Sequence, residues 1–366
     1  MKWKEQILGM KAYQPGKPME EVKKMYGLEE VIKLASNENP FSCSPKVKEY
    51  LQKDETNHAI YPDGYAQNLR TKMAEHLGVE ESELIFGNGS DDLIAIITRA
   101  LLYPGVNTVM ADPSFSQYWH NAEIEGAEVR KVPCVNGVHD LDAMLAAIDE
   151  NTSVVWVCNP NNPTGTIVSS DELEAFIAKV PSDVLIVLDE AYVEYITSDA
   201  YRDTLPLYRQ YENLILLRTF SKAYGLASFR VGYGIAQAST IAKLDPVRAP
   251  FNNTTLSQAV AIVALEDQAY IEQCREVNEK GKQQFVAWCK ARGMNYYPSE
   301  TNFVLFEVKA DSNVVFEELM KRGFIIRSGA ALGAPGYIRV TIGTEQQNEK
   351  FLQLLDEVLQ EQGVLS

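Results

Sequence analysis

Positive charge is what this chain runs short of: 34 lysines and arginines stand against 50 aspartates and glutamates, a formal net charge of −16. So acidic a surface repels nucleic acid and anionic membranes, and neither is expected as a partner. An anionic ligand would need a local basic pocket set against the general field. Cysteine is scarce too. The five present (Cys43, Cys134, Cys158, Cys274, Cys289) are odd in number, widely spaced and without a Cys-x-x-Cys pair. That usage suits reduced thiols and suggests neither a disulfide framework nor a metal site. The four histidines, His58, His76, His120 and His139, also lack ligand spacing. No apolar run approaches the roughly 20 residues of a membrane span, and the opening stretch Met1 to Gly9 has no long apolar core or cleavage signal. A soluble, cytoplasmic protein is therefore expected. Internal repeats and low-complexity tracts are missing as well.

What the chain does have is length and regular alternation. Its 366 residues, 46% hydrophobic and 23% charged, suit a globular protein of two domains at roughly 100–200 residues each. Strand-like runs at 108–111, 154–158, 184–188 and 214–217 are separated by helical patterns, one opening with the capping-box sequence Ser169-Ser-Asp-Glu172. This alternation predicts an α/β fold with a mostly parallel sheet covered by helices. Residues 231–235 read as a further strand, 240–244 and 256–266 as helices, and 267–292 as a long connecting helix. Strand-like 303–306 and 337–341 then alternate with helices, as in a smaller α/β domain. The expected organisation is an N-terminal arm (1–34), a large domain (35–245) and a small C-terminal domain (246–366).

The polar residues fall directly after the strands: Asp112-Pro-Ser-Phe115, Asn159-Pro-Asn-Asn-Pro-Thr-Gly165, Asp189-Glu-Ala-Tyr192 and Thr219-Phe-Ser-Lys222. In an open parallel sheet the carboxyl ends of the strands share one edge, where ligands bind, so these distant segments converge. Lys222 is either a solvated charge or a working amine. Thr219 and Ser221 just before it and Arg230 eight residues after it offer the hydroxyls and fixed cation that a phosphate monoester needs. An amine beside a phosphate site suggests a phosphorylated aldehyde bound as a Schiff base. In Leu84-Ile-Phe-Gly-Asn-Gly-Ser-Asp-Asp92, a strand and a glycine turn lead into a helix, where Ser90 and Asp91 either cap the first turn or stand beside a bound anion. The third glycine of a dinucleotide loop is missing. Asp189 is either a buried carboxylate or a cap for the next turn. Arg339 lies inside an apolar run, where an unpaired charge is costly, so an anion is expected beside it. Arg327, across the loop Ser328-Gly-Ala-Ala-Leu-Gly-Ala-Pro-Gly336, reads equally as a surface charge. Tyr13-Gln-Pro-Gly-Lys17, Ala35-Ser-Asn-Glu-Asn-Pro40 and Tyr61-Pro-Asp-Gly64 read as turns.

Taken in order, the Tyr13–Lys17 turn, the 159–165 segment, Asp189 to Tyr192, and Ser221-Lys222 with Arg230 resemble the fold-type I aminotransferases, which use pyridoxal phosphate. The resemblance runs from Tyr13 to about Thr344 and is to the histidinol-phosphate aminotransferase branch in particular. It implies that Lys222 carries the cofactor as a Schiff base and later moves the proton, and that Asp189 sits beside the pyridine nitrogen. It implies Asn162 and Tyr192 on the ring's phenolic oxygen and Phe115 stacked on the ring, where the family often has tyrosine. Ser90, Asp91, Thr219, Ser221 and Arg230 would then bind the cofactor. Asn37 and Glu38 would line the substrate mouth, and Tyr13, Arg327 and Arg339 would hold the substrate's phosphate or the carboxylate of glutamate. Tyr61 would reach the neighbouring subunit's cofactor in a homodimer. The implied reaction is transamination between L-histidinol phosphate and 2-oxoglutarate, in histidine biosynthesis. Three alternatives stay open: an aromatic amino-acid aminotransferase, a phospho-amino-acid decarboxylase on the same fold, and a non-catalytic cofactor-binding half of a regulator. The complete residue set and the absence of a basic DNA-binding segment argue against the last.

Overall fold

The computed structural model describes residues 1–10, 16–53 and 56–365. Twelve strands run through them: β1 (Ile32–Lys33), β2 (Leu84–Gly87), β3 (Asn107–Asp112), β4 (Glu128–Pro133), β5 (Thr152–Cys158), β6 (Leu185–Asp189), β7 (Leu214–Thr219), β8 (Gly232–Ile235), β9 (Phe303–Glu307), β10 (Phe324–Ile325), β11 (Arg327–Ser328) and β12 (Tyr337–Thr341). Seven of them form the main sheet, in the order β2-β8-β7-β6-β5-β3-β4. From β7 to β4 every neighbouring pair is parallel, and β8 alone runs against both its neighbours.

The central strands are apolar on both faces, as parallel strands covered twice must be. Val155, Val157, Ile186, Leu188, Leu214 and Leu216 enter one core. Their alternates Val154, Trp156, Leu185, Val187, Ile215 and Leu217 enter the other, on the opposite face. Strand β4 is absent from the sequence reading for a physical reason. It is an edge strand carrying Glu128, Arg130 and Lys131, and charge on an edge blunts pairing with other chains while erasing the apolar signature.

The C-terminal residues build a separate core. Strands β11-β12-β9 form an antiparallel sheet, and Phe285, Trp288, Val304, Phe306, Ile338, Val340, Phe351 and Leu355 pack together around it. The helix Thr255–Leu265 still contributes Val260, Ala261 and Leu265 to the first core of the main sheet, and the 25-residue helix Gln268–Arg292 carries the chain from that core to the C-terminal one. The N-terminal segment joins the C-terminal part: β1 pairs with β10 in parallel, and Val22, Val31 and Ala35 pack on Met320 and Ile325. The turn 36–40 that follows is thus anchored far from its sequence neighbours.

Beneath the sheet edge lies a buried ion pair. Arg218 Nε donates to Glu190 Oε2 at 2.9 Å, Thr204 Oγ1 donates to Oε1 at 2.7 Å, and Tyr201 Oη donates to Oε1 as well. Glu190 is 0% exposed. Removing one partner of such a pair strands the other charge, at a cost of about 3–5 kcal/mol. Arg218→Ala is therefore expected to lower the unfolding free energy by about that amount, read from the urea midpoint. An unchanged midpoint would show that Glu190 does not depend on this partner.

Candidate active site

The main sheet's carboxyl edge collects the side chains that the strands deliver there. After β7 the chain makes a tight turn shaped by Thr219, whose hydroxyl accepts the Ser221 N–H at 3.0 Å and donates to the Val231 carbonyl at 3.3 Å. The turn presents Lys222. Its Nζ donates to the Ser36 carbonyl at 3.2 Å and stands 5.7 Å from the centroid of the Tyr192 ring. Enclosure by protein, and then the positive charge of Arg339, lower the Lys222 pKa from 10.5 to about 8.

Tyr192 is buried, which pushes its phenol upward, and its hydroxyl accepts from Asn37 Nδ2 at 2.9 Å. Asn37 sits at φ 57°, a left-handed conformation that asparagine tolerates better than most residues. Its N–H donates to Thr341 Oγ1 at 3.0 Å, and its carbonyl accepts from Asn302 Nδ2 at 2.9 Å. The Ala35 carbonyl accepts from Arg339 Nη2 at 2.8 Å. Three successive carbonyls, those of Ala35, Ser36 and Asn37, therefore face donors of this one cluster. Glu38 accepts from Lys33 at 2.8 Å and is partly exposed.

Asp189 ends β6 and is 2% exposed. Tyr118 Oη donates to its Oδ2 at 2.7 Å, and the Ala191 N–H donates to Oδ1 at 3.1 Å, so the turn-capping role is realised together with burial. Burial raises the carboxyl to about 6, with those two donors pulling it back. Phe115 packs edge-on against Tyr118, with ring centroids 5.6 Å apart.

The helix Ser90–Leu101 begins beside this group. Its cap residue is Gly89, which offers no side chain, and neither Ser90 nor Asp91 caps it; Asp92 instead takes the Asn88 N–H at 2.8 Å. The first-turn N–H groups are thus left for a ligand, and the positive helix end favours an anion. Arg230 comes from the residue pair before β8, whose reversed direction puts its start at the same edge. Its Nη1 donates to Ser221 Oγ at 3.2 Å and its Nη2 to the Asn88 carbonyl at 3.3 Å. Two glycines make the approach possible. A Cβ on Gly89 would lie 2.4 Å from Arg230 Nη2, and one on Gly232 would lie 2.4 Å from the Ser90 nitrogen. Asp91 is accessible to solvent yet surrounded by protein; that enclosure raises its carboxyl, while Arg230 and Lys222 pull it down.

Arg327 and Arg339 are directly opposed on the antiparallel pair β11–β12. Two like charges so placed repel, and an anion between them removes the penalty. Arg339 is 6% exposed, donates to Asn162 Oδ1 and holds its guanidinium carbon 5.1 Å from the Phe303 ring centroid. Arg327 is half-buried.

One expected site residue stands apart from this group: Tyr61 is 79% exposed and stacks on Phe251 at 4.8 Å. Tyr13, also expected at the site, lies outside the described residues. The sequence reading missed Tyr118, Asn302 and Thr341. Tyr118 follows Phe115 by three residues at a helix start, and Asn302 directly precedes an apolar strand, but neither spacing separates a site residue from a packing one. A cleft of about 740 Å³ between 193–203 and the helix Gln268–Arg292 shares no lining residue with the Lys222 group.

A lysine, an enclosed carboxylate and an uncapped helix start thus meet at the carboxyl edge of a parallel sheet, and the likeness of the chain to known proteins gives the class. Residues 29–355 match the family described as aminotransferase class I and II, and the chain belongs to it. Among individual proteins, the chain is 69% identical to the histidinol-phosphate aminotransferase of Lysinibacillus sphaericus over 366 residues, covering 100% of both chains. It is 58% identical to the histidinol-phosphate aminotransferase of Halalkalibacterium halodurans, covering 99% of this chain and 98% of that one. The crystal structure of histidinol-phosphate aminotransferase from Sinorhizobium meliloti in complex with pyridoxal-5'-phosphate matches with a TM-score of 0.89 at 27% identity, over 98% of each chain.

The lowered pKa has a direct consequence. Only a neutral amine attacks an aldehyde, so the ligand-free chain should be reductively alkylated at Lys222 with a pH midpoint near about 8 rather than 10.5. Peptide mass spectrometry after labelling from about pH 6 to about pH 11, a range that takes in both the lowered and the ordinary lysine value, reads this. A midpoint at the ordinary value would mean that the amine is solvated.

Proposed function

We propose that the chain is a homodimeric, cytoplasmic pyridoxal phosphate-dependent aminotransferase of histidine biosynthesis. It moves the amino group between L-histidinol phosphate and 2-oxoglutarate, giving imidazole acetol phosphate and glutamate. The observation that carries this reading is the enclosed amine of Lys222 within one cluster with Asp189, Tyr192 and the opposed pair Arg327 and Arg339. The cofactor fits the residues present: the helix at Ser90 starts uncapped beside Arg230, and Gly89 and Gly232 keep clear the space that side chains would fill.

The N–H groups of Ser90 and Asp91, the Ser221 hydroxyl and the Arg230 guanidinium hold the cofactor's phosphate, with Thr219 fixing the turn between them. Asp189 meets the ring nitrogen, Asn162 and Tyr192 the phenolic oxygen, and Phe115 a face of the ring. When bound, pyridoxal phosphate supplies an aldehyde for amines and a ring that accepts the electron pair left when a neighbouring carbon loses its proton. Lys222 Nζ is the base that takes this proton from the amino-bearing carbon of the substrate and returns it during transfer. To do so it must leave the Ser36 carbonyl. Arg327 and Arg339, with Tyr13, hold the phosphate of histidinol phosphate in one half of the reaction, and the two arginines hold a carboxylate of glutamate in the other, with Asn37 and Glu38 at the mouth. Five free cysteines support the cytoplasmic placement.

The dimer reading rests on the surface around Tyr61. Ile60 is 66%, Tyr65 61% and Phe251 45% exposed beside it, a patch for a second copy to cover, and the family resemblance supplies the reading that Tyr61 then reaches the neighbouring phosphate site. If each site takes Lys222 from one chain and Tyr61 from the other, Lys222→Ala and Tyr61→Ala chains should each be nearly inactive. Activity should reappear when the two are unfolded and refolded together, since mixed dimers regain one intact site. No recovery would confine each site to one chain.

The half-reaction tests the substrate. Adding histidinol phosphate to the loaded enzyme without a keto acid is expected to abolish the visible band of the bound cofactor, and 2-oxoglutarate should restore it. A band that yields only to phenylalanine or tyrosine would transfer the assignment to aromatic substrates, and release of carbon dioxide would transfer it to decarboxylation.

A further inference from the structure

Tyr118 is 1% exposed at the start of the helix Gln117–Glu125, and it is the only side-chain donor to Asp189 among the described residues. Its ring stacks on Trp156, centroids 4.8 Å apart and planes within 14°. The Trp156 ring is itself fixed: Nε1 donates to Thr108 Oγ1 at 2.8 Å, and the Thr108 hydroxyl donates to the Val154 carbonyl at 2.8 Å. Through this chain the Asp189 carboxylate is tied to β3 and β5 as well as to its own strand β6. An ionised carboxylate has about four acceptor positions. The Tyr118 O–H and the Ala191 N–H take two, on different oxygens, which fixes the group's orientation and leaves the others free.

We propose that Tyr118 is the positioning residue for Asp189: its hydroxyl keeps that carboxylate charged and in one orientation, so that it meets the ring nitrogen of pyridoxal phosphate as an anion. This rests on the cofactor reading given above. The surroundings of Asp189 otherwise work against its charge. Burial is the largest influence, and Asp91 and Glu190 add their own negative fields. Cys158, on β5, gives no help, because burial pushes its thiol up to about 12 and leaves it neutral. Against these, the Tyr118 and Ala191 donors are the largest influences that pull the carboxyl down. The Tyr118 phenol is driven well above its ordinary value, first by burial and then by the Asp189 charge, so it remains a donor at every working pH. A phenylalanine would fill the same stack on Trp156. The hydroxyl therefore serves Asp189 and not the packing.

Tyr118→Phe, Trp156→Phe and the parent protein separate the two roles. Each is loaded with pyridoxal phosphate, and three quantities are read: the cofactor's dissociation constant, the pH midpoint of its visible band, and the thermal midpoint of the ligand-free chain. Tyr118→Phe is expected to weaken cofactor binding roughly tenfold, as loss of a hydrogen bond to a charged group does. It should also move the pH midpoint upward, because a more basic carboxylate draws the proton away from the ring nitrogen. Its kcat should fall with little change in KM for the amino donor. Trp156→Phe keeps the hydroxyl and should lower the thermal midpoint while leaving the pH midpoint in place. A Tyr118→Phe protein with the parental dissociation constant and pH midpoint would overturn the assignment. So would a Trp156→Phe protein whose pH midpoint moves as far, since packing would then explain both. If the parent itself bound no pyridoxal phosphate, the cofactor reading and this inference would fall together, a result distinct from either of the others.

Discussion

Asp189 places a carboxylate at the end of the central strand β6 with 2% of its surface exposed, and a charge so placed is costly unless donors surround it. The surrounding architecture follows from that need. The parallel strands β3, β5 and β6 bring Tyr118 and Trp156 alongside through Phe115 and the helix that follows β3. The same sheet edge places Lys222 after β7, and the reversed strand β8 starts where the other strands end, which delivers Arg230 to the helix start at Ser90. Were β8 parallel to its neighbours, the residues before it would lie at the opposite edge of the sheet. The single antiparallel strand is therefore what brings Arg230 to that helix start.

The second structural dependence is the strap from Ala35 to Glu38. Its anchor is the short β1–β10 pairing and the packing of Ala35 on Met320 and Ile325, so it belongs with the C-terminal core, yet its carbonyls and Asn37 side chain engage Lys222 and Tyr192 of the main sheet. Arg339 and Thr341 on β12 grip the same strap from the other side. The site is consequently shared between two cores, and its geometry is set by how they meet and not by either alone.

Much of this was legible from the sequence because parallel strands have a fixed polarity. Once 154–158, 184–188 and 214–217 read as buried strands, Asn162, Asp189, Tyr192 and Lys222 had to gather at one edge. What escaped were features whose signal is not local. Nothing in Gly232-Tyr-Gly-Ile235 states which way the strand runs. The β1–β10 pairing joins two-residue strands nearly three hundred positions apart, too short for a period to register. Charges hid the edge strand β4. Tyr118 looked like any aromatic near a strand end, since its importance lies in where one hydroxyl points. The doubt over Ser90 and Asp91 as caps was likewise a matter of geometry: the cap position belongs to Gly89, and no side chain takes up the first N–H groups.

The placement of Arg339 links the opposed arginine pair to Lys222. After enclosure by protein, its charge is the largest influence lowering the Lys222 pKa, and the two cations are held on adjacent carbonyls of the strap, Ala35 and Ser36. An anion bound between Arg327 and Arg339 offsets that positive field and so restores basicity to the Lys222 amine. In the ligand-free chain the lowered pKa keeps more of the amine neutral, the form that attacks an aldehyde. Under the proposed function, the substrate's anionic group would restore that basicity at the stage where a proton has to be removed from carbon. On that reading the two demands on one lysine, which conflict if its environment is fixed, would be reconciled by the substrate's own charge between the opposed arginines.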